Sequence, residues 1–238
     1  MAISHPEPSS VQHASAFEVV VATQDVRLHD EAKQLKQVIG KQNRPTTFIV
    51  YFGQGGVEIR RSNKADKKGH KVDFNTIDRR TGAGNLSRKQ LFPKAIGNET
   101  KTVLDITAGL GADSAMLALM GYTVRAVERS PIISVLLRDG LHRANKNPEL
   151  HNALGGRLAL AEADSRVIMQ NIDFVDVVYM DPMFPPKRKK SALPQGSIQM
   201  LQAVVGYDDD VQTKELFDLE SGQIEVLIHP QSLVHALV

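Results

Sequence analysis

The chain has 238 residues, 42% hydrophobic and 24% charged, a balance that suits a folded domain with a smaller appendage and argues against a disordered chain. It contains no cysteine, which excludes disulfides and thiolate metal sites and makes a reducing cytoplasm the expected location. The formal net charge of +2 is unevenly spread: residues 60–94 hold 11 Lys/Arg against 3 Asp/Glu, leaving 18 against 24 elsewhere. Such a basic span suits a phosphate-facing surface, and equally a solvated loop.

Residues 1–16 are rich in Ser, His and Pro, lack the basic-then-apolar order of a signal peptide, and are expected to form a flexible tail. Short runs rich in Val and Ile at 17–22, 47–52 and 57–59 predict strands. Between the first two, Leu28, Ala32, Leu35, Val38 and Ile39 recur at helical spacing and predict a helix over 26–39. Gly-Gln-Gly-Gly at 53–56 predicts a turn joining the second run to the third. Residues 17–97 therefore read as a small α+β N-terminal unit.

From Lys101 strand and helix alternate. Strands are expected at 102–107, 123–128, 158–161 and 176–180, with helices at 112–120 and 131–145, the latter opened by Pro131. This βαβ rhythm predicts an α/β fold with a parallel, Rossmann-like sheet over 98–238 and a ligand site beyond the carboxyl ends of its strands.

The first strand leads into Asp105-Ile-Thr-Ala-Gly109-Leu-Gly111-Ala112-Asp113. Gly109 and Gly111 permit a tight turn and close approach of backbone to ligand. A dinucleotide site would carry a third glycine where Ser114 stands, and Asp105 would repel a pyrophosphate. S-adenosylmethionine has an ammonium and a sulfonium and no phosphate, so the turn favours it over NAD. Glu128, at the end of the second strand, is placed to accept hydrogen bonds from ribose hydroxyls, or else to pair with Arg129. Asp164 and Ser165 follow the third strand, where an adenine contact and a helix N-cap are both open and compatible.

The next apolar strand runs into Asp181-Pro182-Met-Phe184-Pro-Pro. This resembles the Asp-Pro-Pro-Tyr/Phe loop of methyltransferases that modify exocyclic amino groups of nucleobases. An aromatic amine is a poor nucleophile because its lone pair is delocalised. A carboxylate accepting its N–H favours a more pyramidal nitrogen, while Phe184 can stack on the base and Pro182 stiffens the loop. An ordinary proline-rich strand exit is the alternative. Lys187, Arg188, Lys189 and Lys190 follow at once, and with the basic span they favour a nucleic acid substrate. The histidines show no metal-ligand spacing, and no metal is expected.

The runs 105–113, Glu128-Arg129, 181–185, 189–193 and 202–206, with Val72-Asp-Phe74 and Arg79-Arg80 upstream, together resemble the bacterial ribosomal RNA small subunit methyltransferase J family. The resemblance implies a cytoplasmic class I S-adenosylmethionine-dependent enzyme that methylates the exocyclic N2 of a guanine in 16S rRNA. It places cofactor contacts on Ala112, Asp113, Glu128, Arg129, Asp164, Ser165 and Asp181; the expected RNA contacts, Arg79, Arg80, Lys187, Arg188, Lys189 and Lys190, rest on the basic charge of their segments. This chain departs from the family at Ala112, often Arg, and at Asp164-Ser165, commonly two small hydroxyl residues. Past a strand expected at 224–228 the sequence also diverges, and the usual C-terminal hairpin reads as missing. Other readings are an amino-methyltransferase acting on tRNA, DNA or a protein glutamine, and a non-catalytic RNA-binding relative.

Overall fold

Two sheets are built by strands whose apolar residues are forced inward by different rules. In β1 (Phe17–Ala22), β2 (Phe48–Gly53) and β3 (Gly56–Arg61), buried positions alternate with partly or fully exposed ones, the signature of a sheet covered on one face. A computed structural model describes residues 16–41, 45–63, 69–80, 86, 91–97, 99–172, 175–181, 202, 204–205 and 225–228.

β1 and β2 run parallel, so the chain must cross over between them, and α1 (Val26–Ile39) makes that crossing. Asp25 caps α1 by accepting the Arg27 N–H at 3.0 Å. β2 and β3 are antiparallel, with Gly53 opposite Gly56 across the Gln54-Gly55 turn. β2 begins at Phe48, one residue later than its apolar run suggests, and the Thr47 N–H bonds the Ala16 carbonyl at 2.9 Å. A short helix, α2 (Leu91–Ile96), precedes the second sheet.

That sheet contains β4 (Thr102–Asp105), β5 (Thr123–Glu128), β6 (Leu158–Glu162), β7 (Val177–Met180) and β8 (Glu225–Ile228) in the order β6-β5-β4-β7-β8, all parallel. β4 and β7 are buried throughout or nearly so, as expected for central strands covered on both faces. The connecting helices are α3 (Ala112–Leu119), α4 (Pro131–Lys146), α5 (Pro148–Leu154) and α6 (Ser165–Gln170). Ser130 caps α4 ahead of Pro131, and Asn147 caps α5 ahead of Pro148. The strand order reverses between β4 and β7, and ligands of such sheets bind outside the carboxyl ends at that point. Residues 229–238, where the usual C-terminal hairpin reads as missing, lie outside the described residues.

α4 belongs to both sheets. It lies along the second and packs against β3 and α1 of the first. Its Asp139 side chain is wholly buried, accepting from Val57 N–H at 2.9 Å and Arg143 Nε at 2.8 Å, and from an Arg27 guanidinium nitrogen at 3.3 Å. Arg143 in turn donates to the Val72 carbonyl. One apolar core continues from Phe48 and Phe52 through Phe74 to Leu117 and Leu136. No helix among the described residues is long and apolar enough to cross a membrane.

Candidate active site at the strand exits

The turn after β4 is shaped by sterics as much as by hydrogen bonds. Gly111 has φ +73° at the N-cap of α3, and a Cβ there would stand 2.5 Å from Leu137 Cδ1 and 3.5 Å from Phe74 Cζ. Both the backbone conformation and the space demand glycine. The Gly111 N–H closes the turn on the Ala108 carbonyl at 2.8 Å.

Asp105 lies beneath this turn, 1% exposed. Its Oδ1 accepts the Thr107 N–H at 3.0 Å and its Oδ2 the Ser114 hydroxyl at 2.5 Å. The residue standing where a dinucleotide fold has its third glycine thus serves as a hydrogen-bond donor to the buried acid. Burial pushes the Asp105 carboxyl up to about 7, the Asp113 and Asp181 carboxylates adding to the shift and the two hydrogen bonds opposing it. Asp113 is in the first turn of α3, where a negative charge suits the helix dipole. Its Oδ2 accepts the Tyr179 hydroxyl at 2.7 Å. Burial, and then Asp113 and Asp181, hold that phenol far above its ordinary range, so it stays a donor. Ala112 is exposed at the mouth of the same helix.

Glu128 ends β5 and reaches back to the turn: Oε2 accepts Gly109 N–H at 2.9 Å and Oε1 accepts Ser130 N–H at 2.7 Å. Arg129 beside it is exposed. After β6, Asp164 caps α6 through Arg166 N–H at 2.9 Å, as the N-cap reading expects. The Arg166 side-chain bond chiefly holds the Asp164 carboxyl below its usual range, with Arg129 contributing. Ser165 is buried and donates to the Ile106 carbonyl at 2.5 Å, fastening α6 to the exit of β4.

Asp181 leaves β7 beside the glycine turn. Its N–H donates to Thr107 Oγ1 at 2.7 Å, so the two strand exits on either side of the reversal point are in direct contact. Of the expected site residues, Asp105, Gly109, Gly111, Ala112, Asp113, Glu128, Arg129, Asp164, Ser165 and Asp181 all gather at this carboxyl edge. Pro182, Phe184 and Lys187, Arg188, Lys189 and Lys190 lie outside the described residues. Arg79 and Arg80 are elsewhere. Arg79 pairs with Glu149 of α5 at 3.3 Å, and α5 precedes β6, at the opposite edge of the sheet. Arg80 clasps Asp78 at 2.6 Å and draws that carboxyl below its usual range. Thr107 and Tyr179 were not singled out by the sequence. A lone tyrosine in an otherwise aliphatic strand, two residues before the acid, is the signal that marks the second.

The acceptor oxygens around the turn suit a ligand that carries an ammonium, a sulfonium and hydroxyl groups. Asp105, Asp113, Glu128 and Asp181 converge on the turn, and among the described residues neither Asp105 nor Asp113 has an ion-pair partner. The comparisons agree with that chemistry. A family model described as putative SAM-dependent methyltransferase matches residues 27–223. A ribosomal RNA small subunit methyltransferase J from Coxiella burnetii is 35% identical over 214 residues, 87% of this chain and 82% of that protein. Its counterpart from Photobacterium profundum is 42% identical over 200 residues, covering 77% and 76%. This chain belongs to the ribosomal RNA small subunit methyltransferase J family. It is accordingly a SAM-dependent methyltransferase. The crystal structure of a SAM-dependent methyltransferase from Neisseria gonorrhoeae aligns with a TM-score of 0.54 and 27% identity, covering 70% of this chain and 69% of that one.

Proposed function

We propose that this methyltransferase J family member modifies the exocyclic N2 amino group of a guanine in 16S rRNA, in the cytoplasm. The observation that supports the reading is the 2.7 Å contact between Asp181 N–H and Thr107 Oγ1, which joins the strand exit that the reading gives to the amine to the turn that it gives to the cofactor. The names of the relatives supply the substrate class, small-subunit ribosomal RNA. In this reading residues 98–238 carry the reaction and residues 17–97 form the smaller unit beside it.

Gly109 and Gly111 let the backbone approach S-adenosylmethionine, and Glu128 accepts from its ribose hydroxyls. Asp113, Ala112 and Arg129 line the same end, Asp164 and Ser165 flank the adenine, and buried Asp105 acts through the turn it holds. The sulfonium supplies an activated methyl group and a neutral thioether leaving group. Asp181 accepts an N–H from the target amine, favouring a pyramidal nitrogen whose lone pair points at the methyl carbon. The amine would lose one proton on methylation, and Asp181 or water would accept it. Since the leaving group is already good, alignment is the main demand on the protein. Phe184 stacks on the extruded base, Pro182 stiffens its loop, and Lys187, Arg188, Lys189 and Lys190 hold nearby phosphates. Arg79 and Arg80, on the far edge, would meet only a more distant part of a large RNA.

The test is transfer of a labelled methyl group to undermethylated small subunits and 16S rRNA, beside tRNA and DNA, with the modified nucleoside identified by mass spectrometry. N2-methylguanosine in 16S rRNA is the expected product. Labelling of tRNA or DNA in preference to rRNA, or of a different atom, would overturn the reading.

A further inference from the structure

β4 and β7 are held together by a ladder of backbone hydrogen bonds whose last rung is Ile106 N–H to the Tyr179 carbonyl, at 3.0 Å. Beyond it the strands part, one into the glycine turn and the other towards Pro182. The Thr107 hydroxyl supplies one more rung, accepting Asp181 N–H at 2.7 Å. Asp181 is followed by proline, which has no N–H, so this is the last backbone donor before the loop. Thr107 is itself immobilised, because its own N–H is bound to the buried Asp105 carboxyl at 3.0 Å. One residue of the glycine turn, itself bonded to a buried acid, therefore also holds the backbone N–H of Asp181.

We propose that Thr107 is the positioning residue that sets the register between methyl donor and acceptor. The proposal rests on the function proposed above and adds a residue to it. Thr107 touches neither reactant; it fixes the Cα of Asp181 relative to Gly109 and Gly111, and hence the in-line approach of the amine. Displacement of about 1 Å between reacting groups costs up to about 100-fold in rate, so the loss should appear in turnover and not in cofactor affinity.

Thr107→Val keeps the shape of the side chain and deletes the hydroxyl, whereas Thr107→Ser keeps the hydroxyl and deletes the methyl. With undermethylated small subunits and saturating S-adenosylmethionine, Thr107→Val should lower kcat by about 10- to 100-fold. The S-adenosylmethionine Kd, measured by calorimetry, should stay within about threefold, and Thr107→Ser should keep kcat within about threefold of the wild type. If Thr107→Val does not yield folded protein, Thr107→Ala makes the same deletion. A normal kcat without the hydroxyl overturns the proposal. So does a serine variant as slow as the valine one, or a fall in cofactor affinity that matches the fall in rate. A wild-type enzyme that methylates no ribosomal substrate removes the proposed function and this role with it. An active wild type with an unaffected Thr107→Val isolates the failure to Thr107.

Discussion

Buried carboxylates appear in two regions of this molecule and are treated in opposite ways. At the joint between the sheets, Asp139 is enclosed by Arg27 and Arg143, and its remaining capacity is filled by Val57 N–H. At the carboxyl edge of the parallel sheet, Asp105 has only a hydroxyl and a backbone N–H, and Asp113 has a phenol. At the joint the counter-charge comes from within the chain, whereas at the strand exits the described partners of Asp105 and Asp113 are all neutral donors.

The comparison can be broken at either end. The largest effect should come from Asp181→Ala: methyl transfer to small subunits should fall by about 1000-fold, with the circular dichroism spectrum unchanged. Near-wild-type transfer in that variant would remove Asp181 from the reaction. At the joint, Asp139→Ala should leave activity per folded molecule alone and lower stability by about 3 kcal/mol in urea unfolding. That is the low end for a broken buried pair, because the Arg27 side chain keeps 29% of its exposure and can still be hydrated.

Asp105 sharpens the contrast through pH. Its folded carboxyl lies near 7, above its value in the unfolded chain, so the folded state holds the extra proton between those limits. Stability from this group is present at low pH and is lost as pH rises through about 7. Asparagine mimics the protonated acid, accepting from Thr107 N–H and donating to the Ser114 hydroxyl oxygen. Asp105→Asn should therefore gain on the wild type by on the order of 2 kcal/mol between pH 5 and pH 8, read as the difference in urea midpoints. Parallel pH profiles for the two proteins would show that Asp105 is ionised throughout. The smallest effect is at Gly140 of α4, where a Cβ would stand 2.5 Å from Val72 Cγ1. Overpacking there outweighs the helix-propensity gain, and Gly140→Ala should cost about 1 kcal/mol net in the same assay.

What the sequence reveals follows the range of the interaction. β1, α1 and β5 match their expected bounds because apolar periodicity is a local signal written over six to fourteen residues. α5 and α6 are too short for periodicity, although Asn147-Pro148-Glu149 is a readable N-cap signature. The carboxyl-edge site is legible because a parallel sheet delivers its strand exits to one place. The Asp139 joint is not: two of its partners lie 82 and 112 residues away, and its pairing with Arg143 one turn on is what an exposed helix acid would also make. Asp105 shows the same limit at short range. The strand exit marks an acid of interest, yet only the packing of Ser114 and Thr107 turns its side chain inward.

The glycine at the mouth of α3 has a wider consequence. Phe74, from the amino-terminal half, and Leu137 of α4 press against the backbone at Gly111, so part of the floor under the cofactor turn is furnished by the smaller unit. A polypeptide beginning at residue 98 would keep the glycine motif and Leu137 but lose Phe74 from beneath it.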